Sequence, residues 1–185
     1  MMDMRIAVDA MGGDHAPAEI VKAAAEASRA LPDVAKLLLV GDSETVKREL
    51  GKHPHRADKI EVIHASEVVA MDESPALAVK RKKDSSISRS VDLVKTGAAD
   101  AVVSAGNTGA FVVTATLRLR TLAGVERPAI AAIMPTQSRP FVLLDAGANP
   151  DCTARMLGQF AVMGSVYSRV ILGREKPSVG LLSIG

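Results

Sequence analysis

The chain has 185 residues, of which 48% are hydrophobic and 24% charged, a balance typical of a globular protein able to bury a core. Aromatic residues make up 2%, too few for the stacking platforms that bind single-stranded nucleic acid, so we expect no nucleic-acid partner. The net charge is +2. The single cysteine excludes a disulfide framework. This cysteine usage and the lack of the apolar core of a signal peptide predict a cytoplasmic protein.

Short apolar runs alternate with longer amphipathic segments along the chain. Near-continuous apolar runs are typical of parallel strands that are buried on both faces. The predicted strands are Met4–Asp9, Lys36–Val40, Lys59–His64, Ala101–Ser104, Ala129–Met134, Pro140–Leu144 and Val179–Ile184.

The segments between these strands show helical periodicity. In the first, Ile20, Ala24, Ala27 and Leu31 share one face, and Pro17 fits the first turn, where a missing N–H is tolerated. Further helices are predicted over Ser43–Leu50, Ala76–Lys82, Ser86–Thr96, Gly109–Leu122 and Asp151–Leu172. The alternation predicts a three-layer α/β/α fold with a mostly parallel sheet.

The last predicted strand ends at Gly185, where parallel α/β folds normally continue with a loop and a helix. We therefore expect residues 1–185 to form a single α/β domain that is the N-terminal part of a longer, truncated fold.

Three loops rich in small residues follow predicted strands and lead into helices, at 9–17, 104–110 and 145–151. Ligands of open parallel sheets bind at the carboxyl ends of the strands. Small residues let backbone N–H groups approach a ligand, and helix N-termini favour anions. Any one such loop is ordinary turn chemistry, but the three together predict a cleft for phosphate or a developing oxyanion. None matches a P-loop or a dinucleotide-binding fingerprint.

Asp9, Asp14 and His15 form the one group that resembles a metal or acid–base site. Asp14 and His15 are adjacent, so they lack the spacing that places two ligands on one helix face. We expect no metal and no cofactor, with Asp14 shaping the loop.

A basic run, KRKKDSSISRS, occupies residues 80–90 and includes a predicted helix start with Asp84, Ser85 and Ser86 as candidate caps. A charge run of this kind fits a solvated face, a phosphate site or a docking surface for an acidic partner. The sequence leaves these alternatives open.

In this order and spacing the motifs resemble the bacterial acyl-ACP:phosphate acyltransferase family (PlsX) of phospholipid biosynthesis. The resemblance spans essentially the whole chain. It is carried by VDAMGGDHAP at 8–17, KKDSSI at 82–87, ADAVVSAGNTGA at 99–110, ERPAIA at 126–131, LDAGANPDC at 144–152 and QFAVMGSVY at 159–167.

The resemblance implies an isopropylmalate-dehydrogenase-like fold, a homodimer, and peripheral membrane association through later segments that this chain does not contain. It implies a reaction in which inorganic phosphate attacks the thioester of an acyl-[acyl carrier protein], giving acyl phosphate and free carrier. An enzyme of the phosphotransacetylase type that uses acyl-CoA, and an inactive fragment that binds carrier protein, are the alternatives.

The residues that match the family motifs fall into two groups. Those predicted to be catalytic are Asn107, Thr108 and Asn149. Those predicted to bind substrate or phosphate are Asp9, Gly12, Gly13, Asp14, Lys82, Lys83, Ser104, Gly106, Gly109, Asp145 and Gly147.

Overall fold

The computed structural model describes residues 4–182. The chain divides into two compact units, one running to Arg120 and the other beginning at Thr121. The larger unit contains the first two predicted ligand loops, and the smaller one contains the third.

The first unit is built on a four-stranded sheet. Its strands pair in the order β3-β2-β1-β4, and all three pairings are parallel. The chain therefore adds two strands on one side of β1 and then crosses over to place β4 on the other side. The strands are β1 (Met4–Asp9), β2 (Val34–Gly41), β3 (Ile60–His64) and β4 (Ala101–Val103).

Five helices accompany this sheet, and all five predicted helices of this part of the chain are confirmed, with ends shifted by at most three residues. They are α1 (Ala18–Ala30), α2 (Ser43–Leu50), α3 (Pro75–Arg81), α4 (Ser86–Lys95) and α5 (Thr108–Leu119), with a short 3-10 turn over Ala57–Lys59.

Alternate residues of the strands bury their side chains on opposite faces of the sheet. Val8 and Leu39 face a cluster that includes Val21 of α1 and residues of α2. Their neighbours Ala7 and Leu38 pack against α4 on the other side. Since each buried aliphatic side chain contributes about 1.5–3 kcal/mol, both faces need their helices, and the predicted three-layer arrangement is confirmed.

The second unit contains an antiparallel pair, β5 (Ala131–Met134) and β6 (Phe141–Leu144), and the long helix α6 (Ala154–Leu172), which packs on β6. The helix begins three residues later than predicted because the Thr153 side chain accepts a hydrogen bond from the Met156 N–H at 3.2 Å and caps the helix there.

The predicted strand Val179–Ile184 is wrong where it can be compared with the structure. Val179 to Leu182 belong to no strand, and the side chains of Val179, Leu181 and Leu182 are exposed. Its last two residues lie outside the described part. Among residues 4–182, no helix is both long and apolar enough to cross a bilayer.

Candidate active site

The carboxyl ends of β1 and β4 flank the point where the strand order reverses. The helix that follows β1 packs on one face of the sheet, whereas α5, which follows β4, packs with α4 on the other. The two helices therefore leave this sheet edge on opposite faces, and we call the edge between the two loops, residues 9–17 and 104–110, the crevice. Such a switch point is where open α/β sheets place their ligands.

A buried carboxylate joins the two loops at this point. The Asp9 side chain is fully buried, and its Oδ2 accepts a hydrogen bond from Ser104 Oγ at 2.7 Å. Ser104 Oγ in turn accepts from the Gly106 N–H at 3.1 Å, and Asp9 Oδ1 accepts from the Met11 N–H at 3.2 Å. The three hydrogen bonds form one network that fixes both loops.

Two glycines allow the loops to touch. A Cβ atom on Gly12 would lie 2.4 Å from Asp9 Oδ2 and 2.8 Å from the Gly106 nitrogen. Gly13 has φ +107°, and a Cβ there would lie 3.1 Å from the Ala105 carbonyl oxygen. Close backbone approach and a positive φ both require glycine, so these loops contact each other through their backbones.

Backbone donors next to this contact have no protein partner. Among residues 4–182, the N–H groups of Gly13, Thr108 and Gly109 donate to no acceptor. Thr108 and Gly109 form the first turn of α5, where the helix dipole adds partial positive charge. The crevice can therefore hydrogen-bond an anion without a cationic side chain.

Asn107 caps α5 and also holds a neighbouring segment. Its Oδ1 accepts from the Ala110 N–H at 2.9 Å. Its Nδ2 lies 3.2, 3.1 and 3.0 Å from the carbonyl oxygens of Ala70, Met71 and Glu73. The side chain is 6% exposed. It therefore ties the 65–74 segment, which connects β3 to α3, to the start of α5.

The same segment engages Lys82. Lys82 Nζ donates to the Val68 carbonyl at 2.7 Å and pairs with the Glu73 carboxylate. Hydrogen bonds from Lys82 and from the Ala70 N–H lower the pKa of Glu73. The Lys82 charge is thus already neutralised, while Lys83 is exposed.

Asp84 fixes the other end of the connection. It accepts hydrogen bonds from the Ser66 hydroxyl and, at 3.0 Å, from the Ser66 N–H, and it pairs with Arg89. These contacts lower the Asp84 pKa to about 2. Of the candidate caps, Ser85 caps α4 by accepting from the Ser88 N–H.

In the second unit, the 145–151 loop is closed by its own first residue. Asp145 Oδ1 accepts from the N–H groups of Gly147, Ala148 and Asn149 at 3.3, 2.8 and 3.2 Å. Asn149 Nδ2 donates to the Pro128 carbonyl at 2.9 Å and to Asp145. The donors predicted to bind phosphate here already have acceptors within the unit.

The structure brings the first two predicted loops together, but the residues predicted within them differ in burial and in hydrogen bonding. Asp14 and His15 are exposed, and the Asp14 carboxylate accepts no hydrogen bond within residues 4–182. The loop-shaping role that the sequence predicts for Asp14 belongs to Asp9. No group of three potential metal ligands occurs in that range.

Sequence reasoning missed the 65–74 segment. It has neither periodicity nor a glycine motif, and its partner Asn107 lies more than 30 residues away. The capping position of Asn107 was the available signal, since asparagine directly before a helix is a preferred cap.

A glycine-lined crevice at the switch point of a parallel sheet, with unpaired amides at a helix N-terminus, defines an α/β protein suited to an anionic ligand. Comparison with known proteins narrows this class. Residues 4–185 match the profile of the family described as "Fatty acid synthesis protein". The chain belongs to this family.

Curated relatives are named phosphate acyltransferase. The chain is 51% identical to the protein from Gloeothece citriformis over 98% of its length and 52% identical to that from Thermosynechococcus vestitus over 100%. These matches confirm the resemblance to the phosphate acyltransferase family. The chain spans about half the length of these relatives, 51% and 54% respectively.

Two solved structures share the fold. One is a phosphotransacetylase from Streptococcus pyogenes, with a TM-score of 0.70 and 23% identity, covering 94% of this chain and 55% of that one. The other is the EutD phosphotransacetylase from Staphylococcus aureus, with a TM-score of 0.64 and 24% identity, covering 92% and 54%. At these identities the similarity defines the fold alone.

Proposed function

We propose that this chain carries the phosphate-binding crevice of an acyltransferase that makes acyl phosphate from acyl-[acyl carrier protein] and inorganic phosphate, for phospholipid biosynthesis. The observation that carries the proposal is the contact between the Gly12–Gly13 and Ala105–Gly106 backbones beside the unpaired N–H groups at the start of α5. The relatives named phosphate acyltransferase support the same activity.

In this reaction a phosphate oxygen attacks the thioester carbonyl carbon, the C–S bond breaks, and the carrier thiolate takes up a proton. Phosphate is already a nucleophile at neutral pH, so the protein's tasks are to position it and to stabilise the tetrahedral oxyanion. The amides of Gly13, Thr108 and Gly109 are suited to both tasks because they are pre-oriented and carry no side-chain entropy.

Asp9 acts indirectly in this proposal. Its buried carboxylate would repel phosphate at close range, but both of its oxygens accept hydrogen bonds from the loops. We assign it the role of holding the two backbones at the spacing that the phosphate requires.

The test supplies inorganic phosphate with either acyl-[acyl carrier protein] or acyl-CoA and traps acyl phosphate with hydroxylamine. Product from the carrier-protein thioester supports the proposal. Product from acyl-CoA alone would replace it with a phosphotransacetylase-type activity. Binding of carrier protein without any product would identify a non-catalytic binding unit.

The proposal includes a homodimer and a cytoplasmic or peripheral membrane location. Sedimentation equilibrium of the purified protein tests the first, and fractionation of cells that express it tests the second.

A further inference from the structure

The basic run at 80–90 divides into two sets of cations. Lys82 pairs with Glu73 and Arg89 pairs with Asp84. Lys80, Arg81 and Lys83 are exposed and form no ion pair within residues 4–182. Of the nearby carboxylates, those of Glu73 and Asp84 are occupied by these pairs, and that of Glu67 accepts a hydrogen bond from the Asp84 N–H at 2.9 Å. The Asp72 side chain is exposed, so three exposed cations stand against one fully exposed acidic residue. The accessible charge is therefore positive.

Exposed apolar side chains accompany these cations. On α3, Leu77 is 52% exposed and precedes Lys80 and Arg81 by three and four residues, so the two cations flank it on the helix surface. Met71, in the 65–74 segment, is 48% exposed. Burial of these two side chains against a partner would add a hydrophobic contribution to the attraction of the cations.

The arrangement fits a broad partner better than a single phosphate. Consecutive helix residues project about 100° apart, so Lys80 and Arg81 diverge and do not converge on one small anion. Cations around an apolar centre are typical of a surface that binds a protein of opposite charge.

This surface adjoins the crevice through the backbone. The Met71 carbonyl oxygen accepts a hydrogen bond from Asn107 Nδ2 at 3.1 Å, and Asn107 directly precedes the unpaired amides of Thr108 and Gly109. A protein seated on the exposed side of the segment would therefore lie beside the site of acyl transfer.

We propose that Lys80, Arg81 and Lys83, together with Leu77 and Met71, form the docking surface for the acidic carrier protein that delivers the acyl group. The inference rests on the proposed function for the identity of the partner. The cations of the docking surface steer the partner, and its apolar residues hold the partner once docked.

The chain offers a matched control for the test. Lys80 and Arg81 form a Lys-Arg pair in the last turn of α3, and Lys47 and Arg48 form the same exposed pair in the last turn of α2. Reversal of either pair with glutamate changes the net charge equally and places acidic groups at a helix C-terminus in both cases. Circular dichroism confirms that each variant is folded.

The measurement is fluorescence anisotropy of labelled, purified acyl carrier protein titrated with each variant, which requires no enzymatic turnover. We expect Lys80→Glu/Arg81→Glu to weaken binding about tenfold or more at low salt, with a smaller difference at high salt because exposed charges are screened. The Lys47→Glu/Arg48→Glu variant should bind like the wild type. Equal loss in both variants, or in neither, would overturn the proposal.

Two further arms separate related outcomes. Turnover with a small acyl-pantetheine thioester should be the same for the Lys80→Glu/Arg81→Glu variant as for the wild type, and a parallel loss would place these cations in the reaction itself. Loss of binding to anionic phospholipid vesicles, with carrier-protein binding intact, would assign the surface to a membrane. If the wild type binds carrier protein but makes no acyl phosphate, the proposed activity fails while the docking surface stands.

Discussion

Ser104 donates a 2.7 Å hydrogen bond to the buried carboxylate of Asp9 across 95 residues of sequence. This single contact links the loop after β1 to the loop after β4 and, through the Gly106 N–H, fixes the second loop internally. The crevice therefore depends on a hydroxyl group that need not itself contact substrate.

Replacement of Ser104 by alanine should lower the free energy of unfolding by about 1–3 kcal/mol, because Asp9 Oδ2 and the Gly106 N–H lose their partner. Urea unfolding measures the change, and acyl phosphate formation should fall with it. Ser90 is the control, since its buried hydroxyl has no partner among the described residues and Ser90→Ala should leave stability unchanged or raised. Equal losses in the two variants would show that the Asp9 contact has no special role.

Gly12→Ala should disrupt the loop contact without changing charge. The added methyl group would lie 2.4 Å from Asp9 Oδ2 and 2.8 Å from the Gly106 nitrogen, so the backbone must separate, at a cost of about 1–3 kcal/mol. Gly158→Ala in α6 is the matched control. It has open space around it and should gain about 0.5–1 kcal/mol from helix propensity. Wild-type stability and activity in Gly12→Ala would contradict the described contact.

Asn107 can be tested with two substitutions. Asn107→Ala removes the cap, which costs about 1 kcal/mol, and leaves the carbonyl oxygens of the 65–74 segment without a donor. Asn107→Asp keeps the capping oxygen but places a buried anion against those carbonyls, so we expect it to be the more destabilising variant.

Thermal unfolding measures which of the two Asn107 variants is less stable. If Asn107→Ala were the less stable one, the stabilising role of Asn107 would be limited to capping α5. The catalytic role predicted from the sequence is tested by the reaction rate: acyl phosphate formation per folded molecule should fall in Asn107→Ala. An unchanged rate per folded molecule would remove Asn107 from the chemistry.

Asp84 should make stability depend on pH in the acidic range. Hydrogen bonds from Ser66 and Arg89 lower its pKa from 3.8 to about 2 in the folded protein, so its contribution is present above the unfolded pKa of about 4 and is lost as the pH falls toward 2. Between about pH 5 and about pH 2.5, the range in which a carboxyl group titrates, the urea midpoint of Asp84→Asn should fall less than that of the wild type. Ser66→Ala should show an intermediate slope, and parallel curves for all three proteins would contradict this assignment.

The sequence predicted most of the strands and helices because their signals are local. α2 occupies the predicted Ser43–Leu50, since its apolar periodicity agrees with an Asp42 cap that accepts from the Thr45 N–H at 2.9 Å. The glycines at 12 and 13 were likewise predictable from their position between a strand and a helix.

What the sequence could not predict depends on contacts between distant residues. The motif resemblance predicts a catalytic role for Asn107 and substrate binding for Lys82. Both side chains bind the 65–74 segment, and no local pattern in that segment indicates such contacts. The Val179–Ile184 run shows the converse error, because an apolar run becomes a strand only where a neighbouring strand pairs with it.

The position of β4 has a kinetic consequence. Its three residues pair with Ile6, Ala7 and Val8, and this pairing requires closure of a chain segment of more than 90 residues. Long-range closure of this kind is slow because the chain loses conformational entropy before the stabilising contacts of the strand pair form. An early folding species that held only β1, β2 and β3 would have a hydrophobic core but no crevice. Acquisition of ligand binding during refolding should therefore report the arrival of β4, not the collapse of the core.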